Sequence, residues 1–576
     1  MTLEQVSSED TLARLQAEAR FAAAHGIEFL RAIQRPDGAW TDRLSSSAVA
    51  TALGVLSLAR AGRDIYAERI DRAISWLLTS QRTDGGWAMA DAEDPSSPGM
   101  TSFAVAALHE VAPDTCSAAL NRAWAFLDDN DAETVVPGLR GEAPRTWPAA
   151  APIIWALTGI RDAKLQPDQP VETVLLPHSI RNKVSIALPV VLALGVMQAR
   201  TLPRSWIRSV LARVAVPRAL AWIREASGAN GGIEECPMIA GFVYLSLREA
   251  DEAEDLQRAS LCYLLDTQRS DGSWAIDRDL EISVTAYAVM ALAEFGSLAD
   301  APELHLTRDW LLRQQWNRPL NILGIRAGGW SWANPSGWPE SEDTAVVLGA
   351  LAELGLSHNH PAVRLGVDWL IRQQNRDGSW SEWVRNSTIM NDRPCAGVTA
   401  HVVMALHRLG EPTAPGSPIR RGLDWLAAHQ SSDGSIASVW FRDNLHGTCR
   451  LLEAWSDLGW AANEPVALKA RQWLLSNQGD DGGWPKQQVL PPARTTVEET
   501  AWALYALMKA GEDPRSESVT RGIRWLTDNQ TAAGTWTPSS VGLYFDDLCY
   551  TDDLIAHTFA LRSLGRWLAS LDSTQP

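Results

Sequence analysis

The stretch Gln374-Asn-Arg-Asp-Gly-Ser-Trp380 decides the fold, because close copies of it recur along most of the chain. The Asp-Gly step at its centre predicts a turn, since glycine tolerates a positive φ and an aspartate side chain bonds to nearby backbone. Copies that follow one another directly lie about fifty residues apart, a period typical of architectures in which similar units stack. Further copies occupy residues 34–40, 81–87, 268–274, 478–484 and 530–536, with a worn copy at residues 430–436.

The segments around each copy predict two helices of different character. The segment before the turn, such as the one ending in Trp369-Leu370, carries charges between apolar positions, so its helix should face water. The segment after it, such as residues 398–406, is apolar nearly all round and should be buried, and Gly410 marks its end. Inner and outer helices that alternate around an axis make an α/α barrel. The sequence therefore predicts an all-α chain of α/α barrels, with a cavity where the inner helices start.

Composition limits the cellular setting and the partners. A chain of 576 residues exceeds one ordinary core, so two or more domains are expected. Its 51 basic and 69 acidic residues give a net charge of −18, which argues against nucleic acid as a partner.

Six cysteines without a Cys-x-x-Cys pair, and a polar start without a signal peptide, predict a cytoplasmic protein. The most apolar run, residues 184–197, is too short to span a bilayer, so we expect weak or no membrane association, peripheral at most. Homodimer formation is left open.

Four further stretches make the chain resemble the squalene-hopene cyclase family of class II triterpene cyclases. The first looks like the family's acid motif, Asp-x-Asp-Asp-Thr-Ala, and the second like the segment whose histidine pairs with that acid. The others look like the family's Gly-Ser-Trp…Tyr-Gly-Thr stretch and its C-terminal aromatic segment. In this order they are residues 328–347, Gly397-Val-Thr-Ala-His401, residues 434–448 and residues 534–567.

The resemblance implies both a fold and an activity. Residues 31–279 would form an inserted α/α barrel domain, and residues 1–30 with 280–576 would form the catalytic (α/α)6 barrel. The implied enzyme is a terpene cyclase of isoprenoid biosynthesis, which protonates a linear polyisoprenoid, such as squalene, to start its cyclisation. No metal or other cofactor is implied, except Mg²⁺ if the substrate is a diphosphate.

Glu340-Ser-Glu342-Asp343 is the candidate acid. Protonating an alkene needs a carboxyl that burial and neighbouring carboxylates keep protonated, while hydrogen bonds stabilise the anion left behind. The cluster opens a predicted inner helix, whose N-terminus offers free N–H donors. Taken alone, such residues are more often an acidic helix cap. His401 opens the next inner helix, so the two features together favour a catalytic pair in which Glu342 donates the proton and Glu340 and Asp343 hold its geometry.

Aromatic side chains are the candidates for contact with substrate. Cationic intermediates are stabilised by aromatic faces, which offer negative charge without nucleophilicity. The tryptophans inside the repeated turns, such as Trp40, Trp87 and Trp484, are predicted to pack the core instead. The candidates outside these turns are Trp332, Trp338, Trp383, Trp440, Phe441 and Tyr550.

Two departures from the family pattern affect the site. Glutamate replaces aspartate at two positions of the acid motif, and Glu342 is one methylene longer than the family's donor. The family's substrate-stacking tryptophan before Thr285 is absent, since this chain has Ile282-Ser-Val284 there. Because about 1 Å of misplacement can be costly, either the substrate sits differently or activity is impaired.

Three other functions compete with this interpretation. A prenyl diphosphate cyclase with Mg²⁺ would use cations, and residues 201–224 carry five arginines and no acidic residue, although such a run is more often a solvated face. A zinc-dependent prenyltransferase subunit would use ligands such as Asp443, His446 and Cys449, whose spacing turns the outer two away from each other. The third is a non-catalytic barrel that binds isoprenoids or proteins.

Overall fold

The computed structural model of the protein describes residues 3–41, 43–90, 94–129, 151–162, 168–177, 187–389, 392–486, 494–540, 542–545 and 548–573. About 59% of the chain is helical, so the all-α prediction is confirmed. Strands of the described residues form three short antiparallel pairs. These are β1 (Trp87–Ala88) with β2 (Ser96–Ser97), β3 (Trp484–Pro485) with β4 (Thr495–Thr496), and β5 (Gly542–Phe545) with β6 (Leu548–Tyr550).

The chain begins with a long helix, α1 (Leu3–Ile33), and then builds a first group of alternating inner and outer helices. The inner members are α2 (Ala48–Gly62), α4 (Pro98–Val111), α6 (Ala151–Leu157), α7 (Leu188–Thr201) and α9 (Pro237–Leu247). The outer members are α3 (Ala67–Ser80), α5 (Ser117–Asp129), α8 (Trp206–Ala226) and α10 (Glu254–Thr267). Helix α2 packs against α4 and α9, and α7 packs against α8 and α9.

A second barrel follows, and its inner helices form a closed ring. They are α11 (Glu281–Ala293), α13 (Ser341–Glu353), α15 (Ala396–Arg408), α17 (Leu445–Asp457), α19 (Val497–Lys509) and α21 (Asp553–Ser573). Each packs against the next, and α21 packs against α11. The outer helices are α12 (His305–Arg313), α14 (Pro361–Gln373), α16 (Pro418–His429), α18 (Pro465–Ser476) and α20 (Glu517–Asp528). Helix α1 packs against α20 and α21 and completes the outer layer. The predicted domain boundaries at residues 30 and 279 stay a prediction.

The repeated turn holds three helices together, which explains why the sequence keeps it. Gln374 Nε2 donates to the carbonyl of Pro418, which starts the next outer helix, over 2.8 Å. Trp380 Nε1 donates back to the carbonyl of Leu370 over 2.7 Å, and Trp380 N–H donates to Oγ1 of Thr399 on the inner helix over 3.0 Å. All these groups are buried or partly buried, where an unmade hydrogen bond costs about 1–3 kcal/mol.

The same contacts recur at the other copies and close the barrel. Gln530 donates to the carbonyl of Ala22 on α1 over 2.8 Å, joining the last repeat to the first helix. Trp40, Trp87 and Trp484 are at most 1% exposed, which confirms their predicted place in the core. The central glycine is required by geometry: Gly378 has φ +101°, and a Cβ there would lie 2.5 Å from the carbonyl oxygen of Arg421.

Candidate active site

The three carboxyls of the predicted acid motif lie together at the N-terminus of α13. Glu340 is the residue before the helix, and Glu342 and Asp343 belong to its first turn. Glu342 and Asp343 are 8% and 4% exposed. Burial favours the protonated carboxyl, while the positive end of the helix dipole and its free N–H groups favour the conjugate base. These opposing effects are what a strong yet protonated acid requires.

His401 on α15 faces this cluster, as the repeat alignment predicted. Its Nδ1 lies 3.2 Å from Oε1 of Glu342, with the two side chains 9% and 11% exposed. The contact has the distance of an ion pair without the angles of a hydrogen bond. An imidazolium in this position stabilises the carboxylate that remains after Glu342 has given up a proton.

Ser283, on the neighbouring inner helix α11, is a site residue that the sequence did not single out. Its hydroxyl donates to Oδ1 of Asp343 over 2.6 Å. Ser283 lies within Ile282-Ser-Val284, where the family's stacking tryptophan is absent, so a small hydroxyl occupies this part of the wall. The carboxyls of Glu340 and Asp343 also hydrogen-bond to each other.

The pKa shifts of this pair follow from burial and from those hydrogen bonds. Burial, and then the charge of Asp343, raises the pKa of Glu340 well above its ordinary value. Burial also raises the pKa of Asp343, although the hydrogen bonds from Glu340 and Ser283 oppose the rise. The pKa of both carboxyls is therefore raised, and Glu340 holds its proton more tightly than Asp343 does.

A fourth carboxyl, that of Glu382, completes the cluster and was missed by sequence reasoning. The backbone N–H of Glu342 donates to Oε2 of Glu382 over 3.2 Å, and Ser341 N–H donates to the Glu382 carbonyl over 3.0 Å. Burial, and then the charge of Glu342, raises the pKa of Glu382 well above its ordinary value. Its position two residues after Trp380, beside the candidate Trp383, was the available signal.

The cluster lies in the wall of a cavity with about 660 Å³ of empty space. None of the described residues that line it is basic. The lining consists of Asp277, Leu280, Ser283, Tyr287, Trp332, Glu340, Glu342, Asp343, Glu382, Trp383, Trp440, Phe441, Tyr550 and Ile555.

Five of the six predicted aromatic side chains line this cavity. Trp383 packs edge to face between Trp332 and Trp440, with ring centroids 6.1 and 5.3 Å away. Phe441 and Tyr550 form a further part of the wall. A cation in the cavity would therefore meet aromatic rings on several sides.

Trp338 is the sixth, and the structure places it elsewhere. It is 1% exposed, packs against Trp222 at a centroid distance of 6.4 Å and donates from Nε1 to the carbonyl of Ala226 over 3.4 Å. Both partners belong to α8, so Trp338 holds the two barrels together and does not line the cavity. The structure therefore does not support the predicted contact of Trp338 with substrate. In the loop before α13, Trp332 lines the cavity, whereas Trp338 packs against α8.

The side chains that a zinc site or a diphosphate site would need make other contacts in the structure. Within the described part of the chain, no group of three His, Cys, Asp or Glu residues has the geometry to hold a metal ion. His446, which a zinc site would have used as a ligand, stacks on Phe441 with ring centroids 3.6 Å apart, and burial lowers its pKa well below the usual value. In the arginine-rich stretch, Arg204, Arg208 and Arg224 form ion pairs with carboxylates of the same barrel.

A second cavity, of about 630 Å³, lies behind the acid cluster inside the ring of inner helices. His401 forms part of its wall, so this residue separates the rear cavity from the carboxyl it touches. The rear cavity is lined by charged side chains, among them the buried pair Arg450–Glu453. It reaches Arg408, whose side chain is 42% exposed, at the far end of α15.

Comparison with known proteins gives concordant matches. The sequence matches the squalene-hopene cyclase C-terminal domain family over residues 7–136 and 281–568. It is 30% identical over 315 residues to a probable squalene–hopene cyclase of Sinorhizobium fredii, covering 49% of this chain and 47% of that protein. It thus spans about half the length of that relative. The squalene–hopene cyclase of Alicyclobacillus acidocaldarius is 27% identical over 638 residues, covering 95% of this chain and 97% of that protein.

A solved structure shares the fold over nearly the full length. The ent-copalyl diphosphate synthase from Streptomyces platensis superposes with a TM-score of 0.61 at 23% identity, covering 96% of this chain and 99% of that one. At this identity the likeness concerns the fold alone.

Proposed function

Since the chain belongs to the squalene-hopene cyclase family, we propose that it is a class II terpene cyclase that protonates a linear polyisoprenoid to start its cyclisation. The observation that carries this proposal is a buried carboxyl cluster in the wall of an aromatic cavity, with His401 3.2 Å from Glu342. A packing role alone would not require four carboxyls at one buried helix end, because burying charge is costly.

Glu342 is the proposed proton donor. Its proton goes to one carbon of the terminal double bond, the π electrons form the new C–H bond, and the other carbon becomes cationic. His401 and the N–H groups at the start of α13 stabilise the carboxylate that remains. Glu340 and Asp343 hold the geometry, and the raised pKa of both carboxyls limits the negative charge of the cluster.

The aromatic walls receive the positive charge as it moves along the substrate. Trp332, Trp383 and Trp440 present rings without a nucleophilic atom, so they stabilise a carbocation without trapping it. The same walls exclude water that would end the reaction early.

The acid must regain a proton after each turnover, and the rear cavity is the proposed route. His401 borders it on one side and contacts Glu342 on the other. A proton that reaches His401 from water in the rear cavity can pass to the carboxylate without crossing the substrate.

The lining favours an uncharged polyene such as squalene over a diphosphate. A diphosphate needs cationic or metal partners, and the described lining of the substrate cavity contains no basic side chain. We therefore keep the expectation that no cofactor is needed, with Mg²⁺ required only for a diphosphate. The Mg²⁺-dependent diphosphate cyclase is the second candidate, and a non-catalytic isoprenoid-binding barrel is the third.

Incubation of the purified protein with squalene, farnesyl diphosphate and geranylgeranyl diphosphate, with and without Mg²⁺, tests these candidates. Reactions in D₂O, read by mass spectrometry, should give a cyclised product carrying deuterium from the initiating acid. Glu342→Gln keeps the shape of the side chain and removes its proton, so turnover should fall by at least about 10²–10⁴-fold. Glu340→Gln is the matched variant and should retain more activity. Full activity of Glu342→Gln would remove Glu342 from the mechanism.

We also propose a cytoplasmic location with at most weak peripheral membrane contact. No helix of the described residues is long and apolar enough to cross a membrane. Helix α8 does carry an exposed apolar row of Trp206, Ile207, Val210, Leu211 and Val214, 42–76% exposed. Flotation with vesicles should show little bound protein, and quantitative co-flotation at high salt would contradict the proposal. Light scattering on the same samples measures the oligomeric state, which the sequence leaves open.

A further inference from the structure

The substrate cavity contains one carboxyl that the initiating step does not use, that of Asp277. It lies in the connection between α10 and α11 and is 3% exposed. The other four carboxyls of the lining belong to the acid cluster on α13 and to Glu382 beside it. Asp277 therefore needs its own explanation, because a buried carboxyl is costly wherever it has no function or partner.

Asp277 belongs to the side of the cavity formed with the first barrel. The charges that act on it most strongly are those of Glu234 and Glu235, which lie in the loop before α9, and the thiol of Cys236 hydrogen-bonds to it. Tyr550 lies within electrostatic range of both Asp277 and Glu342.

One oxygen of Asp277 is available for chemistry. Its Oδ1 is buried and has no hydrogen-bond partner. Two carboxyls of the acid cluster do accept hydrogen bonds: Asp343 accepts from Ser283, and Glu382 accepts from the Glu342 backbone. Asp277 itself lines the cavity that would hold the carbocation, and a carboxylate lone pair that no donor occupies is what a base requires.

We infer that Asp277 is the base that ends the cyclisation. Its carboxylate takes a proton from a carbon next to the last cationic carbon, the C–H electron pair becomes the new C=C bond, and the product leaves as a neutral alkene. This inference rests on the proposed function, because only a cyclase generates such a cation. The proton passes from Asp277 to solvent after the product has left.

The surroundings of Asp277 suit a proton acceptor. Burial, and then the charges of Glu234 and Glu235, raises the pKa of Asp277 well above its ordinary value. The positive charge of a carbocation in the cavity acts in the opposite direction and favours the carboxylate, which then binds a proton more tightly than a solvated carboxylate would. Tyr287 and Tyr550, the phenols of the lining, are weaker bases than a carboxylate as long as they keep their protons.

The test compares Asp277→Asn with Asp279→Asn, a matched change two residues away. Asp279 is 4% exposed and pairs with Arg278 at 3.0 Å, but it does not line the cavity. Reactions with squalene in D₂O are analysed by gas chromatography and mass spectrometry. For Asp277→Asn we expect the share of the wild-type alkene to fall at least tenfold, replaced by alcohols or by alkenes with the double bond elsewhere. Asp279→Asn should keep the wild-type product pattern.

Two readouts separate the base from the initiating acid. Deuterium at the protonated end of the product reports initiation and should persist in Asp277→Asn, whereas the alkene pattern reports termination. A deuterated product with an unchanged alkene pattern would overturn the assignment of Asp277 alone, and so would a wild-type product that is entirely an alcohol. No cyclised product from any polyisoprenoid with the wild-type protein would overturn the proposed function together with this inference.

A second variant keeps the test decisive if Asp277→Asn does not fold. Asp277→Glu retains a carboxyl but moves it by one methylene, so it should still form alkenes while changing their ratio at least threefold. An unchanged ratio would contradict contact between this carboxyl and the reacting carbon. Melting temperatures of both variants confirm that folded protein is compared.

Discussion

Filling the rear cavity should slow repeated turnover without affecting the first. Gly349 lies on α13 in the wall of this cavity, and a Cβ there would meet a single atom, Met290 Cε at 3.3 Å. Gly349→Leu would therefore place a leucine side chain in the proposed proton route. Leucine also favours a helix more than glycine does, which offsets part of the cost of crowding Met290.

The structure sets the size of the expected effect. From His401 to the rim at Arg408 the route runs along seven residues of α15, about 10 Å at the rise of a helix. Three or four hydrogen-bonded water molecules, about 2.8 Å apart, would span it. Moving a packed leucine out of their way costs about 1.5–3 kcal/mol. Steady-state turnover should fall by about ten- to a hundredfold, because each 1.36 kcal/mol corresponds to a factor of ten.

Quenched-flow measurement of the product formed per enzyme molecule distinguishes the first turnover from the steady state. In Gly349→Leu the first equivalent of product should form within about twofold of the wild-type rate, followed by a slow steady state. Gly349→Ala is the control, since it removes the same glycine and leaves the cavity open. Equal steady-state rates in the two variants would refute the route, and a loss of the first turnover as well would show that the leucine disturbs the acid instead.

Three further predictions concern the acid, the repeat and pH. Glu342→Asp withdraws the carboxyl by about 1.5 Å from a 3.2 Å contact with the imidazole, so kcat should fall by about 10²-fold. A rise in kcat would contradict the idea that the longer glutamate side chain is needed to reach the substrate. Trp380→Phe removes the buried bond to the Leu370 carbonyl and should lower the free energy of unfolding by about 1–3 kcal/mol in urea titrations, with unchanged products. Burial raises the pKa of Asp279 to about 6 and that of Asp392 to about 7, so both stay protonated when folded at a pH where the unfolded chain is ionised. Their contribution to stability is present below about pH 4 and is lost as pH rises through 6 and 7. The melting temperature should therefore fall between pH 5 and pH 8, and an increase would contradict this assignment.

The architecture could be predicted from the sequence because its determinants are local and repeated. A turn such as Gln374–Trp380 makes its hydrogen bonds to the helix before it and to the helices that follow within about fifty residues. The spacing of glutamine, glycine and tryptophan therefore carries the helix–turn–helix pattern without knowledge of distant contacts. Repetition of this pattern also located the start of each inner helix, and with it the pair formed by Glu342 and His401.

The composition of the site could be predicted only in part. Glu382 and Ser283 belong to the acid cluster, yet neither lies in a motif, since each reaches the cluster from a neighbouring inner helix or its preceding loop. Trp338 is only six residues from Trp332, but one holds the barrels together and the other lines the cavity. Sequence proximity to the motif was thus a poor guide to contact with substrate.

The sequence by itself determined the repeat, the all-α barrels and the acid–histidine pair, because each depends on short-range pattern or on equivalent positions in successive repeats. Only the tertiary structure decided which side chains share a cavity, because residues far apart in the chain meet where the ring of inner helices closes and where the first barrel covers it. Asp277 illustrates this division. Nothing in its local sequence marks it, and its unpartnered oxygen becomes visible only when the cavity around it is complete.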